Sequence, residues 1–168
     1  HIVSFLGDPK HSVIKEQSEI AAVGHRVVHG GENFHAPVLI DEKVIASIRE
    51  NIPLAPLHNP ANLTGIELTR EIFPDTPQIA VFDTAFHQTI PRWSYLYAIP
   101  FELYEKHRVR KYGFHGTSHA YVAGRAADYL GKSLKELDMI TIHLGNGASM
   151  AALQKGECID TSMGMTPL

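Results

Sequence analysis

Short apolar runs alternate along this chain with stretches of helical periodicity, and that alternation limits the fold more than any other feature. Residues 20–29 (Ile-Ala-Ala-Val-Gly-His-Arg-Val-Val-His) read as a buried strand followed by a turn at Gly30-Gly31. Asp41 is placed to cap a helix running from about Glu42 to Asn51, in which Val44, Ile45, Ile48 and Ile52 share one face. Pro53, Pro56 and Pro60 stand within one short stretch and exclude a helix across it, because each removes a donor and fixes φ. A second helix is expected from about Ala61 to Ile72, then a short buried strand from Gln78 that ends on the carboxylate of Asp83. Residues 87–100 read as irregular and aromatic, with Trp93, Tyr95 and Tyr97. Helices are expected over 101–109 and 116–130, the second stopped by Gly131. Met139 to His143 reads as another buried strand, leading through a glycine-rich turn to a hairpin at Gln154-Lys-Gly-Glu157. Strands alternating with helices define an α/β protein with a mixed sheet, and the domain division is expected near residues 84–92.

Composition narrows the partners. Among 168 residues, 15 Lys and Arg stand against 18 Asp and Glu, a net charge of −3 that gives no electrostatic reason to bind nucleic acid or an anionic membrane. One cysteine, Cys158, rules out an intrachain disulfide and a cysteine-based zinc cage. No apolar run approaches the ~18 residues of a membrane span, and no signal-peptide pattern is present, so a cytoplasmic location is expected. The chain starts at His1 without an initiator Met and stops in the polar stretch Asp160 to Leu168, as a chain cut from something longer would.

Three strand ends carry polar groups followed by small residues, and ligands of open α/β sheets collect at such ends. Arg26, among Val23, Val27 and Val28, needs an anionic partner: a bound substrate anion, or a structural acid such as Glu32 or Asp83. Asp83 could hold Mg²⁺, orient a reacting group or cap the turn that follows. Gly145-Asn-Gly-Ala-Ser149 fits either a phosphate-binding turn or a type I′ hairpin. The four-apart pairs His25/His29 and His115/His119 admit metal binding and hence a metal-dependent hydrolase, a weaker reading because no His-Glu-x-x-His pattern and no third ligand accompany them.

Taken together, five segments closely resemble the acetate kinase family, of the acetate and sugar kinase, heat-shock chaperone and actin superfamily. They are Gly24-His-Arg-Val-Val-His-Gly-Gly-Glu32, Pro53-Leu-Ala-Pro-Leu-His-Asn-Pro60, Val81-Phe-Asp-Thr-Ala-Phe-His-Gln-Thr-Ile-Pro91, Tyr112-Gly-Phe-His-Gly-Thr-Ser-His119 and His143-Leu-Gly-Asn-Gly-Ala-Ser149. The last leads into Asp160-Thr-Ser-Met-Gly-Met-Thr-Pro167. The resemblance implies an internal piece of an actin-like ATPase, with residues 1–84 belonging to the N-terminal domain and 85–168 beginning the C-terminal one. It implies transfer of a phosphoryl group between ATP and acetate, giving acetyl phosphate and ADP, with propionate or another short-chain carboxylate as the alternative acceptor. Arg26 would bind the acetate carboxylate, and Val28, Leu57, Phe114 and Pro167 would surround its methyl group. His115 would hydrogen-bond the transferring phosphoryl. Asp83 is the family's presumed proton donor or acceptor, read here as orienting Arg26 or Mg²⁺-bound water, since a carboxylate substrate is already ionised. His143, Leu144, Gly145, Asn146 and Gly147 would bind the nucleotide phosphates. Mg²⁺ is expected with its ligands outside this stretch, and the full-length protein is expected to be a homodimer. His58 and His119 also fall in these motifs and are expected to make local backbone hydrogen bonds.

Overall fold

Asp41 does begin a helix: its side chain accepts from the Val44 amide at 2.8 Å and caps α1 (Glu42–Glu50), whose Val44, Ile45 and Ile48 are buried. The computed structural model describes residue 8 and residues 13–166, and its architecture is α/β with two three-stranded sheets. In chain order the first part holds β1 (Val23–Val27), β2 (Val38–Leu39), α1, α2 (Asn59–Ile72) and β3 (Gln78–Phe82). The second holds α3 (Arg92–Tyr95), α4 (Glu102–His107), α5 (Gly116–Leu130), β4 (Met139–Leu144), β5 (Ala148–Gln154) and β6 (Glu157–Thr161).

The first sheet has the order β1-β3-β2 and is mixed, as expected: β1 runs parallel to β3, with Arg26 opposite Val81 and Val27 opposite Phe82, and β2 runs antiparallel. The second, β4-β5-β6, is wholly antiparallel. Its β5–β6 turn is the expected two-residue hairpin, with Lys155 at φ 51° and Gly156 at φ 83° between the paired Gln154 and Glu157. One core packs α1 and α2 on the first sheet through Val27, Ile48, Ile66 and Phe82. Another lies beneath the second sheet, around Ile90, Ala123, Ala151, Leu153 and Cys158. A third, Val28, Leu54, Tyr112, Phe114 and Met163, draws on both parts of the chain.

Several expectations are corrected. β1 and β4 are not buried strands. β1 sits at an edge of its sheet, and its pattern alternates until Val27 closes it. One face of β4 is left uncovered, so Ile140, Ile142 and Leu144 are exposed. α2 starts at Asn59, two residues early, because Pro60 falls in the first turn, where no amide donor is needed. The stretch 87–100 holds a 3₁₀ turn over Ala85–Thr89 and the one-turn α3. α4 ends sooner than expected, at Arg108 in the left-handed region (φ 55°), whose guanidinium reaches Asn51 Oδ1 at 3.1 Å. α5 and its Gly131 stop (φ 63°) match.

Candidate active site

The strand period of two decides what faces the cleft. Val27 and Phe82 point into the core, so Arg26 and Val28 on β1 and its extension, and Val81 and Asp83 on β3 and its extension, face the other way. Arg26 meets Asp83 as a two-pronged fork, Nε donating to Oδ1 at 2.9 Å and Nη2 to Oδ2 at 2.6 Å. The carboxylate is sunk, with its side chain 2% exposed, whereas the guanidinium is 64% exposed and reaches into the cleft. These hydrogen bonds hold Arg26 above its ordinary pKa against the opposing cost of partial burial. Glu32, the other acid considered for Arg26, instead accepts from Arg110 at 2.6 Å and from the Tyr104 hydroxyl at 3.1 Å.

Asp83 is also where the two parts of the chain meet. Its backbone carbonyl accepts from Gly116 N at 3.0 Å, and its carboxylate lies 3.4 Å from the amide of His115. A Cβ on residue 116 would collide with that carbonyl, so only glycine can open α5 here. His115 itself takes the left-handed φ of 58°, a conformation a non-glycine residue adopts at a cost.

This backbone turn aims the imidazole of His115 across the cleft. It stacks on His143 with ring centroids 4.0 Å apart, and its Nδ1 lies 2.8 Å from Ser149 Oγ. Burial lowers its pKa, and the nearby His143 lowers it further. His143 is oriented in turn by Ser118, Nδ1 to Oγ at 2.9 Å. The Nε2–Cε1 edge of His115 fits against Gly147, where a Cβ would stand 3.0 Å from both atoms. The loop that carries Gly147 is not the type I′ turn. It has three residues between Leu144 and Ala148, none at positive φ, and is closed by Gly145 N donating to Gly147 O at 2.9 Å.

Arg26, Val28, Asp83, His115, His143, Asn146 and Gly147 thus share one cleft of about 760 Å³. Other sequence-predicted residues fall elsewhere. Leu57 is 86% exposed and Leu144 81% exposed, and neither lines the cleft; Gly145 does not line it either. Phe114 is fully buried behind the cleft, in the cluster with Val28 and Met163. Pro167 lies outside the described residues. His119 does not bond to backbone as expected: its two ring nitrogens contact Thr141 Oγ1 and Ser149 Oγ, each at 2.8 Å.

Sequence reasoning missed Thr117, Ser118 and Tyr121, one face of the first turns of α5, together with Met163; His58, expected only to make local backbone hydrogen bonds, lines the cleft as well. The helix period following His115 was the available signal for the first three. The histidine pairs do not converge on a metal. His25 bonds Gln78, and His29 is buried against Tyr112. Among the described residues, no three His, Cys, Asp or Glu are placed to hold one.

Comparison with known proteins adds independent findings. Residues 2–168 match the model of the acetokinase family. An acetate kinase of Thermotoga petrophila is 64% identical over 167 residues, covering 99% of this chain and 41% of that protein. The crystal structure of Porphyromonas gingivalis acetate kinase superposes with a TM-score of 0.95 at 54% identity, covering 99% of this chain and 42% of that one. A propionate kinase structure from Francisella tularensis gives 0.91 at 51%, covering 99% and 41%. The chain spans about two fifths of the length of the curated relatives it matches.

Proposed function

The chain belongs to the acetokinase family, and from that premise we propose that the protein built on it transfers the γ-phosphoryl group of ATP to acetate, giving acetyl phosphate and ADP, and runs the reverse reaction at the same site. The observation that carries this reading is the Arg26–Asp83 fork facing the His115 imidazole across one cleft. A guanidinium has five N–H donors; two are taken by Asp83, and the rest remain for a substrate carboxylate. Asp83 orients this fork rather than moving a proton, because Arg26 occupies both its oxygens and acetate arrives ionised. His115 donates to the migrating phosphoryl, whose charge spreads over equatorial oxygens and is stabilised mainly by positioned donors. His143, Asn146 and Gly147, which line the cleft, receive the nucleotide phosphates, with Leu144 and Gly145 only shaping the loop between them. Val28, backed by Phe114, forms the apolar floor under the acetate methyl.

ATP implies Mg²⁺, but the described residues do not make a site for it. Among the described residues Asp83 is the one carboxylate lining the cleft, and its oxygens are engaged. A domain division between residues 84 and 85, a homodimer and a cytoplasmic location complete the proposal on the family's example alone.

A test in a full-length protein carrying this chain is acetate-dependent formation of ADP and acetyl phosphate. Arg26→Ala should lower kcat/KM for acetate by about 10- to 100-fold, the worth of a charged hydrogen bond, and Arg26→Lys should restore only part of it. Absence of turnover with any short-chain carboxylate overturns the reading. The propionate kinase likeness favours a second acceptor. One methylene is worth ~1–3 kcal/mol, so propionate should be used at a lower but measurable kcat/KM.

A further inference from the structure

We propose that Thr141, His119 and Ser149 form a hydrogen-bond relay that fixes His115 in the tautomer bearing its proton on Nε2, the nitrogen that faces the cleft. The inference deepens the kinase reading and rests on it for its consequence in catalysis.

The relay has a direction, and one buried hydroxyl sets it. Thr141 is 3% exposed, and among the described residues His119 Nδ1, at 2.8 Å, is the one hydrogen-bond partner of its Oγ1. A hydroxyl sealed from water must spend its hydrogen on an acceptor, since an unmade donor costs more than an unused lone pair. Thr141 therefore donates to His119 Nδ1. An imidazole that accepts at Nδ1 and is neutral carries its proton on Nε2. His119 is neutral: burial, reinforced by His115 and His143, lowers its pKa to about 4.

Nε2–H of His119 then donates to Ser149 Oγ at 2.8 Å. Ser149 is itself buried, 3% exposed, and its remaining close partner is His115 Nδ1 at 2.8 Å. Its hydroxyl hydrogen goes there. His115 thus accepts at Nδ1 and holds its own proton on Nε2, on the edge that lies against Gly147. The reverse direction would leave the Thr141 hydrogen without an acceptor and present a bare lone pair to the incoming phosphoryl oxygens. A lone pair there would repel the charge that a donor stabilises. Thr141, His119 and Ser149 are positioning residues, acting through His115.

The readout is the protonation pattern of the ring nitrogens by ¹⁵N-histidine NMR on a full-length protein carrying this chain, without substrate, beside steady-state kinetics. The native spectrum should show His115 and His119 both as the Nε2–H tautomer. Ser149→Ala should leave His115 as a tautomer mixture and lower kcat by about 10- to 100-fold with KM for acetate little changed, as expected when a catalytic ring loses its orienting partner. Ser149→Thr, which keeps a hydroxyl, should recover most of both. Thr141→Val should shift the His119 and His115 tautomers together. An Nδ1–H tautomer at His115 in the native protein overturns the relay, and so does a Ser149→Ala spectrum identical to it. Those outcomes leave phosphoryl transfer to acetate standing, whereas absence of that activity beside the expected spectrum sinks the kinase reading and not the relay.

Discussion

His29 and His87 are fully buried, and each carries a pKa lowered to about 4. Burial is the main cause in both. At His29 the Arg108 charge adds to it, and at His87 the hydrogen bond to the Phe114 carbonyl opposes it. An unfolded histidine titrates near 6.5, so the unfolded chain binds more protons between pH 6.5 and 4. Stability is therefore fully present above that window and is lost as pH falls through it. Each ring should cost about 2 kcal/mol between pH 7.5 and 5. Urea unfolding at the two pH values checks the decline, to which His119, also lowered to about 4, adds in the same direction, and His87→Gln should flatten it; a stability unchanged by acid would contradict the assignment. The sequence showed eleven histidines with little to sort them. Arg26 and Asp83 were legible because each is a charge at the end of an apolar run and must find a partner. Residue chemistry alone left Asp83 and Glu32 both open as the partner, because the choice depends on the register of β1 against β3; the family resemblance is what pointed to Asp83. Leu57 was not legible as exposed, since nothing local dictates which way the Pro53–Pro60 segment turns its side chains.

Local rules explain the elements that sequence located well. α1 follows from one cap and a three-four apolar spacing, and α5 from a glycine stop. What local rules could not supply is which face of a strand gets covered, and so β1 and β4 were misread as buried. The relay from Thr141 to His115 was equally out of reach, because it links β4, α5 and β5 across 22 to 34 residues of sequence. Two glycines tie these elements together, with different consequences. Gly116→Ala drives a methyl into the Asp83 carbonyl, a backbone atom that cannot step aside. It should destabilise the protein by about 1–3 kcal/mol or more, read as a lowered denaturation midpoint. Gly147→Ala presses only on the His115 ring edge. It should leave the midpoint nearly unchanged and lower kcat by about tenfold, the effect of displacing a positioned group. A Gly147→Ala enzyme with native kcat would show that the ring does not work from that edge.

At the scale of the whole chain, the described residues cover the second sheet on one side only. Ile140, Ile142, Leu144 and Met150 are each more than half exposed, and they sit on neighbouring strands β4 and β5. An apolar face of this kind, with β4 and β6 as open edges, favours association. The isolated 168-residue chain should therefore self-associate at micromolar concentration in sedimentation velocity, and Ile142→Lys should shift it toward monomer. A monodisperse native chain would contradict this. The residues that follow Asp83 have their own consequence for how the cleft can change shape. Gln88 donates to the Gly31 carbonyl on one side, while His87 contacts Cys158 Sγ and Thr89 donates to the Cys158 carbonyl on the other. This short stretch works as a clasp. Swinging one sheet away from the other about it would undo bonds on both flanks at once, so the distance across the cleft between Arg26 and His143 is set by the resting fold itself.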